Sequence, residues 1–157
     1  MKQIKLTPQE MRLGELAGEL MHELSEYQSN YVGDSILSPE EFLASDIAAQ
    51  RAELAVAKFL KLKWTPHFNS PKHIPDVGFV QVRWCAEKTG RLVVRPRDDK
   101  FSVYVLVLGK APLLYLMGWA YGTDVIEQGV EEDLGFLGKP AHFLTADKLR
   151  DIKELKK

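Results

Sequence analysis

The chain has 157 residues, 45% of them hydrophobic, and a formal net charge of −1. That size suits one domain around a single core, since such domains bury roughly 70% of the surface an extended chain exposes. No apolar run approaches the roughly 20 residues of a membrane span, the N-terminus MKQIKLTPQE lacks the apolar centre of a signal peptide, and a lone cysteine, Cys85, excludes an internal disulfide or a thiolate zinc site.

In chain order, LTPQEMRLGELAGELMHELSEYQ opens as a helix. Thr7 can cap, Pro8 fits the first helical position, and Glu10 stands three residues after Thr7, the spacing of a capping box. Leu13, Leu16, Leu20, Leu24 and Tyr27 recur at three- and four-residue steps, giving one face to bury against the domain or against a partner subunit. Gly14 and Gly18 either weaken this helix or permit close packing. LSPEEFLASDIAAQRAELAVAKFLKL repeats the same grammar with Ser38, Pro39 and Glu41, and a bend is expected near Ser45 and Asp46. Glu53 lies beside the apolar surface of its second half, so its carboxylate is either at the rim or held by a partner.

From Trp64 the period changes. VGFVQVRWC, RLVVR, FSVYVLVLG and LLYLMGWAYG read as strands separated by turn chemistry at KTG, RPRDDK and GKAP. VYVLVL is continuously apolar and should be covered on both faces. A short strand at HFLT, a cap at Thr145 and a polar terminal helix follow. The order predicts an α+β, three-layer domain with a mixed central β-sheet flanked by helices, and an N-terminal helical extension at about residues 1–37.

Charge is unevenly spread. Residues 58–100 hold ten Lys/Arg against four Asp/Glu, and residues 1–57 hold four against ten. The basic middle either attracts a polyanion, with phosphate neutralisation supplying the affinity, or consists of solvated strand faces. Within it, HIPDVGFVQVRWC sets Asp76 at the head of an alternating run that carries Gln81 and Arg83 on one strand face. If the backbone turns at Gly78, these can converge with Asp76. Hard cations such as Mg²⁺ take oxygen ligands, which Asp76, the Gln81 amide and the backbone carbonyl of Val82 could supply.

These residues carry a resemblance. PD at 75 and 76, QVR at 81 to 83, and the preceding helix with AELAVAKFL resemble the PD-(D/E)XK nuclease superfamily, particularly its small phage-encoded members, over roughly residues 45–120. The resemblance implies a restriction-endonuclease-like core and a metal-dependent endodeoxyribonuclease using Mg²⁺ or Mn²⁺. It makes Asp76 the main metal ligand, Glu53 a helix carboxylate joining the metal, Gln81 the residue at the acidic position and Arg83 the residue at the lysine position. Two departures follow from the residue types: Gln81 removes a negative charge, and Arg83 stays protonated and cannot be a general base, although it can hold phosphate. The site therefore cleaves slowly, relies on metal-bound water alone, or only binds DNA.

Lys72, His73, Lys88, Arg91, Arg95 and Arg97 are candidates for phosphate contacts. His67 and His73 have no common zinc spacing, and Asp98 and Asp99 are alternative metal ligands or simply a turn. Trp84, Tyr104, Tyr115, Trp119 and Tyr121 either stack bases or belong to the core. The expected compartment is the cytoplasm, that of the host if the chain is phage-encoded. Double-strand cleavage would call for a homodimer. Two other readings stay open: a catalytically weakened DNA-binding module on the same fold, and a structural or partner-binding phage protein.

Overall fold

The computed structural model describes residues 1–27, 38–66, 74–133 and 140–156. Among the described residues it is an α+β fold with three helices and two sheets. The elements are β1 (Lys2–Lys5), α1 (Pro8–Tyr27), α2 (Pro39–Leu60), β2 (Val80–Cys85), β3 (Leu92–Val94), β4 (Val103–Lys110), β5 (Leu113–Tyr121), α3 (Gly122–Gln128), β6 (Val130–Asp133) and β7 (Pro140–Leu144). The central sheet has the order β1-β5-β4-β2 and is mixed, with β2 parallel to β4 and the other pairs antiparallel. A second, antiparallel sheet has the order β3-β7-β6.

Strand alternation explains the layers. Val105 and Val107 of β4 join Val80 and Val82 of β2 in a core with Ala52, Val56 and Phe59 of α2. Tyr104, Leu106 and Leu108 point the other way and pack with Leu92, Val94, Leu144 and Val125, from the second sheet and α3. The continuously apolar strand is thus covered on both faces, as its composition requires.

The start signals of both long helices work as their residue types dictate. The Thr7 N–H donates to Glu10 Oε1 at 2.7 Å while the Glu10 N–H donates to Thr7 Oγ1 at 3.1 Å, and the Glu41 N–H donates to Ser38 Oγ at 3.2 Å. Four expectations are revised. Residues 2–5, expected within a helical extension, form an edge strand of the central sheet, with Ile4 and Leu6 buried. Helix α2 runs without interruption through Ser45 and Asp46. The polar tail forms two 3₁₀ turns, Ala146–Lys148 and Ile152–Lys156, and Thr145 makes no side-chain cap.

The leucine face of α1 is the fourth. Leu13, Leu16 and Leu20 remain 52%, 46% and 44% exposed, because α1 meets α2 through Gly14, Ala17 and Gly18 instead. A Cβ added at Gly18 would lie 2.4 Å from the Ile47 Cα. Small residues allow the two backbones to approach closely, and that contact outcompetes burial of the leucine face.

Candidate functional site

The N-terminal end of β2 is built by a tight turn. The Val77 and Val80 backbones exchange hydrogen bonds at 3.1 and 2.8 Å, and Gly78 takes a left-handed φ of 54°, a region that favours glycine. The turn folds Asp76 back along the strand, so that its Oδ2 accepts the Val82 N–H at 2.8 Å. Ile74, two residues earlier, accepts a hydrogen bond from Gln81 Nε2 at 3.2 Å, which orients the buried amide.

Helix α2 brings Glu53 to the same end. Glu53 is partly buried, and its carboxyl is pushed up to about 8 by that burial and by the charge of Asp76. The Trp64 indole N–H opposes the rise, although its geometry falls short of a full hydrogen bond. The charge of Asp76 thus disfavours ionisation of Glu53, as like charges near one another do.

Gln81 and Arg83 occupy the other face of β2. Val80 and Val82 face α2, so the period of two turns Gln81 and Arg83 toward the second layer, where Gln81 is in register with Tyr104 of β4. The Arg83 guanidinium stacks 5.0 Å from the Tyr104 ring centre, and its Nη2 pairs with Asp98 Oδ2 at 3.0 Å. Its Nη1 donates to the Val82 carbonyl over a long 3.4 Å, and its buried Nε has no hydrogen-bond partner. The Tyr104 hydroxyl donates to the Asp99 carbonyl at 2.7 Å. Burial pushes this phenol up to about 12, with the Arg83 charge opposing and Asp98, Asp99 and Asp76 reinforcing the rise.

The structure therefore joins Glu53 to Asp76 on one side of β2 and Arg83 to Asp98 and Tyr104 on the other, with Asp76 electrostatically in reach of both groups. Asp98 also accepts the Arg95 N–H at 2.8 Å, and Asp99 accepts from the Phe101 N–H and the Ser102 hydroxyl. Both are turn-forming acids. Among the described residues, no group of three His, Cys, Asp or Glu side chains is assembled to hold a metal. Carboxylates such as those of Glu53 and Asp76 are the ligand type that Mg²⁺ takes, one or two to a site, with water and phosphate oxygens completing its shell.

Of the phosphate-contact candidates, Lys72 and His73 lie outside the described residues, as does His67. Arg91 is committed elsewhere: it forms a two-pronged pair with Glu132 at 2.8 and 2.9 Å and covers the Phe143 ring at 4.4 Å. Lys88, Arg95 and Arg97 are exposed. In the aromatic series, Tyr104 and Trp119 are buried core residues, while Tyr121 is 40% exposed.

Trp64 acts on this site without any local signal that pointed to it, and Tyr104, read as a core or base-stacking aromatic, is set beside Arg83 only by the fold. No helix among the described residues is long and apolar enough to cross a membrane. A scan of family models found none that matches the chain, and searches of curated proteins and of solved structures found no match either.

Proposed function

We propose that this protein is a metal-dependent endodeoxyribonuclease centred on Glu53 and Asp76, acting in the cytoplasm, and in the host cytoplasm if it is phage-encoded. The observation that carries the reading is the acid pair itself: Glu53 of α2 and Asp76 before β2 interact, and burial and Asp76 together raise the Glu53 carboxyl to about 8. A carboxyl held in that state gains by ionising against a divalent cation. Asp76 and Glu53 would hold Mg²⁺ or Mn²⁺, which when bound lowers the pKa of a coordinated water and neutralises phosphate oxygens.

The chain's own residues supply positioning. Gln81 ties β2 to the segment carrying Asp76 through the Ile74 carbonyl. Arg83, being permanently charged, cannot transfer a proton; Asp98 and the Tyr104 ring hold it on the face of β2 away from Glu53. Cleavage of plasmid and branched DNA by the purified protein, with Mg²⁺, Mn²⁺ or EDTA, tests the reading. Products are expected with either metal and none with EDTA, and Asp76→Ala should lower the rate at least about a hundredfold, the scale on which lost charge stabilisation acts. Unchanged cleavage by Asp76→Ala would remove this site from the mechanism.

The Arg83–Asp98 pair favours a second reading, in which the cation is neutralised internally and the fold binds DNA without cutting it. That reading expects salt-sensitive DNA binding and no product with any metal.

A further inference from the structure

A cleft of about 310 Å³ opens between the first half of α2, the C-terminal end of β2 and the β4–β5 hairpin. Asp76 precedes the opposite end of β2, and neither it nor Glu53 lines the cleft. The volume stands at the small end of the roughly 300–1,000 Å³ that ligand pockets span, room for a body of one or two rings.

The residue types explain both the space and its character. Alanines at 44, 48, 86 and 111 leave open what larger side chains would fill. The Trp84 indole N–H already donates to the Gly109 carbonyl at 2.9 Å, so the ring is held in one orientation and offers the cleft only apolar surface. Ile47 and the buried Leu114 add to that surface.

Charge decides the polarity of the occupant. The lining holds two cations, Arg51 and Lys110, and no acid. Arg51 is already committed: its Nε and Nη2 donate to the Met11 carbonyl at 3.1 and 3.0 Å, and Nη2 lies 3.7 Å from Glu15 Oε2. It fastens α2 to α1 and keeps that wall in place, with Glu15 offsetting its charge. Lys110, at the end of β4, is exposed and makes no ion pair among the described residues. One uncompensated ammonium on a flexible stem, beside an otherwise apolar wall, matches a ligand with a single negative charge and a flat apolar body. We infer that the cleft binds a small aromatic carboxylate, its ring against Trp84 and its carboxylate on Lys110 Nζ. A phosphate monoester, with close to two charges, would call for donors that Arg51 has committed elsewhere. Nothing in this site depends on DNA or on a metal.

Isothermal titration of the full chain with 2-naphthoate tests the site, beside 2-naphthamide, which keeps the rings without the charge, and cyclohexanecarboxylate, which keeps the charge without a flat ring. The naphthoate should bind one to one, the amide about tenfold more weakly, the scale of one lost hydrogen bond to a charged group, and cyclohexanecarboxylate more weakly than the naphthoate. Lys110→Gln should bring the naphthoate down to the affinity of the amide and leave the amide unchanged. Ala44→Phe should fill the cleft and remove binding of both. Both positions are exposed, so the thermal unfolding of these variants should match that of the wild type.

Absence of saturable naphthoate binding overturns the inference, as does equal affinity for acid and amide, or a preference for the acid that survives Lys110→Gln. Binding that persists in Ala44→Phe would place the ligand elsewhere and overturn the site. Cyclohexanecarboxylate bound as tightly as naphthoate would overturn the aromatic class. Asp76→Ala should leave all of these affinities unchanged, so the cleft and the nuclease reading stand or fall separately.

Discussion

Glu53 sits on α2 one residue before the buried Leu54 and feels the charge of Asp76, and the free energy of that arrangement depends on pH. In the unfolded chain a glutamate ionises near its ordinary value of 4.5; in the fold this one holds its proton to about 8. Between these values the native state binds more protons than the unfolded state, so stability falls as pH rises through the window. In EDTA, the melting temperature of the wild type should therefore decline from about pH 5 to pH 8 by an amount on the order of several degrees. Glu53→Gln should flatten that part of the profile and melt higher than wild type at pH 8; parallel profiles for the two proteins would contradict the raised carboxyl. The resemblance, and not any local spacing, implied that Glu53 and Asp76 share a metal. Their mutual effect was invisible because it requires a helix and a strand separated by the 67–73 stretch to meet.

At the scale of elements, α1 shows how packing overrides an evident pattern. Its leucine spacing satisfies the helical period, yet the face that docks on α2 is the one bearing Gly14, Ala17 and Gly18. His22 Nδ1 and Asp46 Oδ2, 3.2 Å apart, fasten the same contact farther along. Gly18→Ala is the informative substitution. Intrinsic propensity alone would favour alanine in a helix by about 1 kcal/mol, but the new methyl would press on the Ile47 backbone at 2.4 Å. Overpacking of this kind costs about 1–3 kcal/mol, so a lower urea midpoint is expected; a higher one would mean that the two helices do not pack this closely. The pattern at β2 was read correctly in part: Gln81 and Arg83 do share a face, but it is the face away from α2.

For the whole molecule, the first strand matters more than its four residues suggest. β1 pairs along β5 from Lys2↔Leu116 to Lys5↔Leu113, and Leu6, 2% exposed, lies in the core shared with α2. Lys58 of α2 reaches the Lys5 carbonyl at 2.9 Å and Glu10 at 2.8 Å, tying strand and both long helices together. Leu6→Ala should then lower global stability by about 2–5 kcal/mol, the range for emptying a leucine site in a core. Denaturant unfolding measures this directly, and a loss below about 0.5 kcal/mol, the scale of surface substitutions, would mark the N-terminal segment as peripheral.

The sequence by itself determined the features governed by neighbours a few residues apart. The Thr7–Glu10 box and the Ser38 cap start their helices where the side chains can reach their own backbone, and the unbroken apolar run of β4 required cover on both faces. Asp76, Gln81 and Arg83 could be singled out for the same reason, as an acid ahead of a strand and two polar residues spaced along it. Only the tertiary structure decided which face of β2 meets α2, that residues 2–5 complete the central sheet, that a second sheet covers Tyr104 and Leu106, and that Arg83 closes on Asp98 while Glu53 closes on Asp76. These are pairings between segments far apart in the chain, settled by the competition among alternative surfaces for burial, and no local spacing encodes the winner.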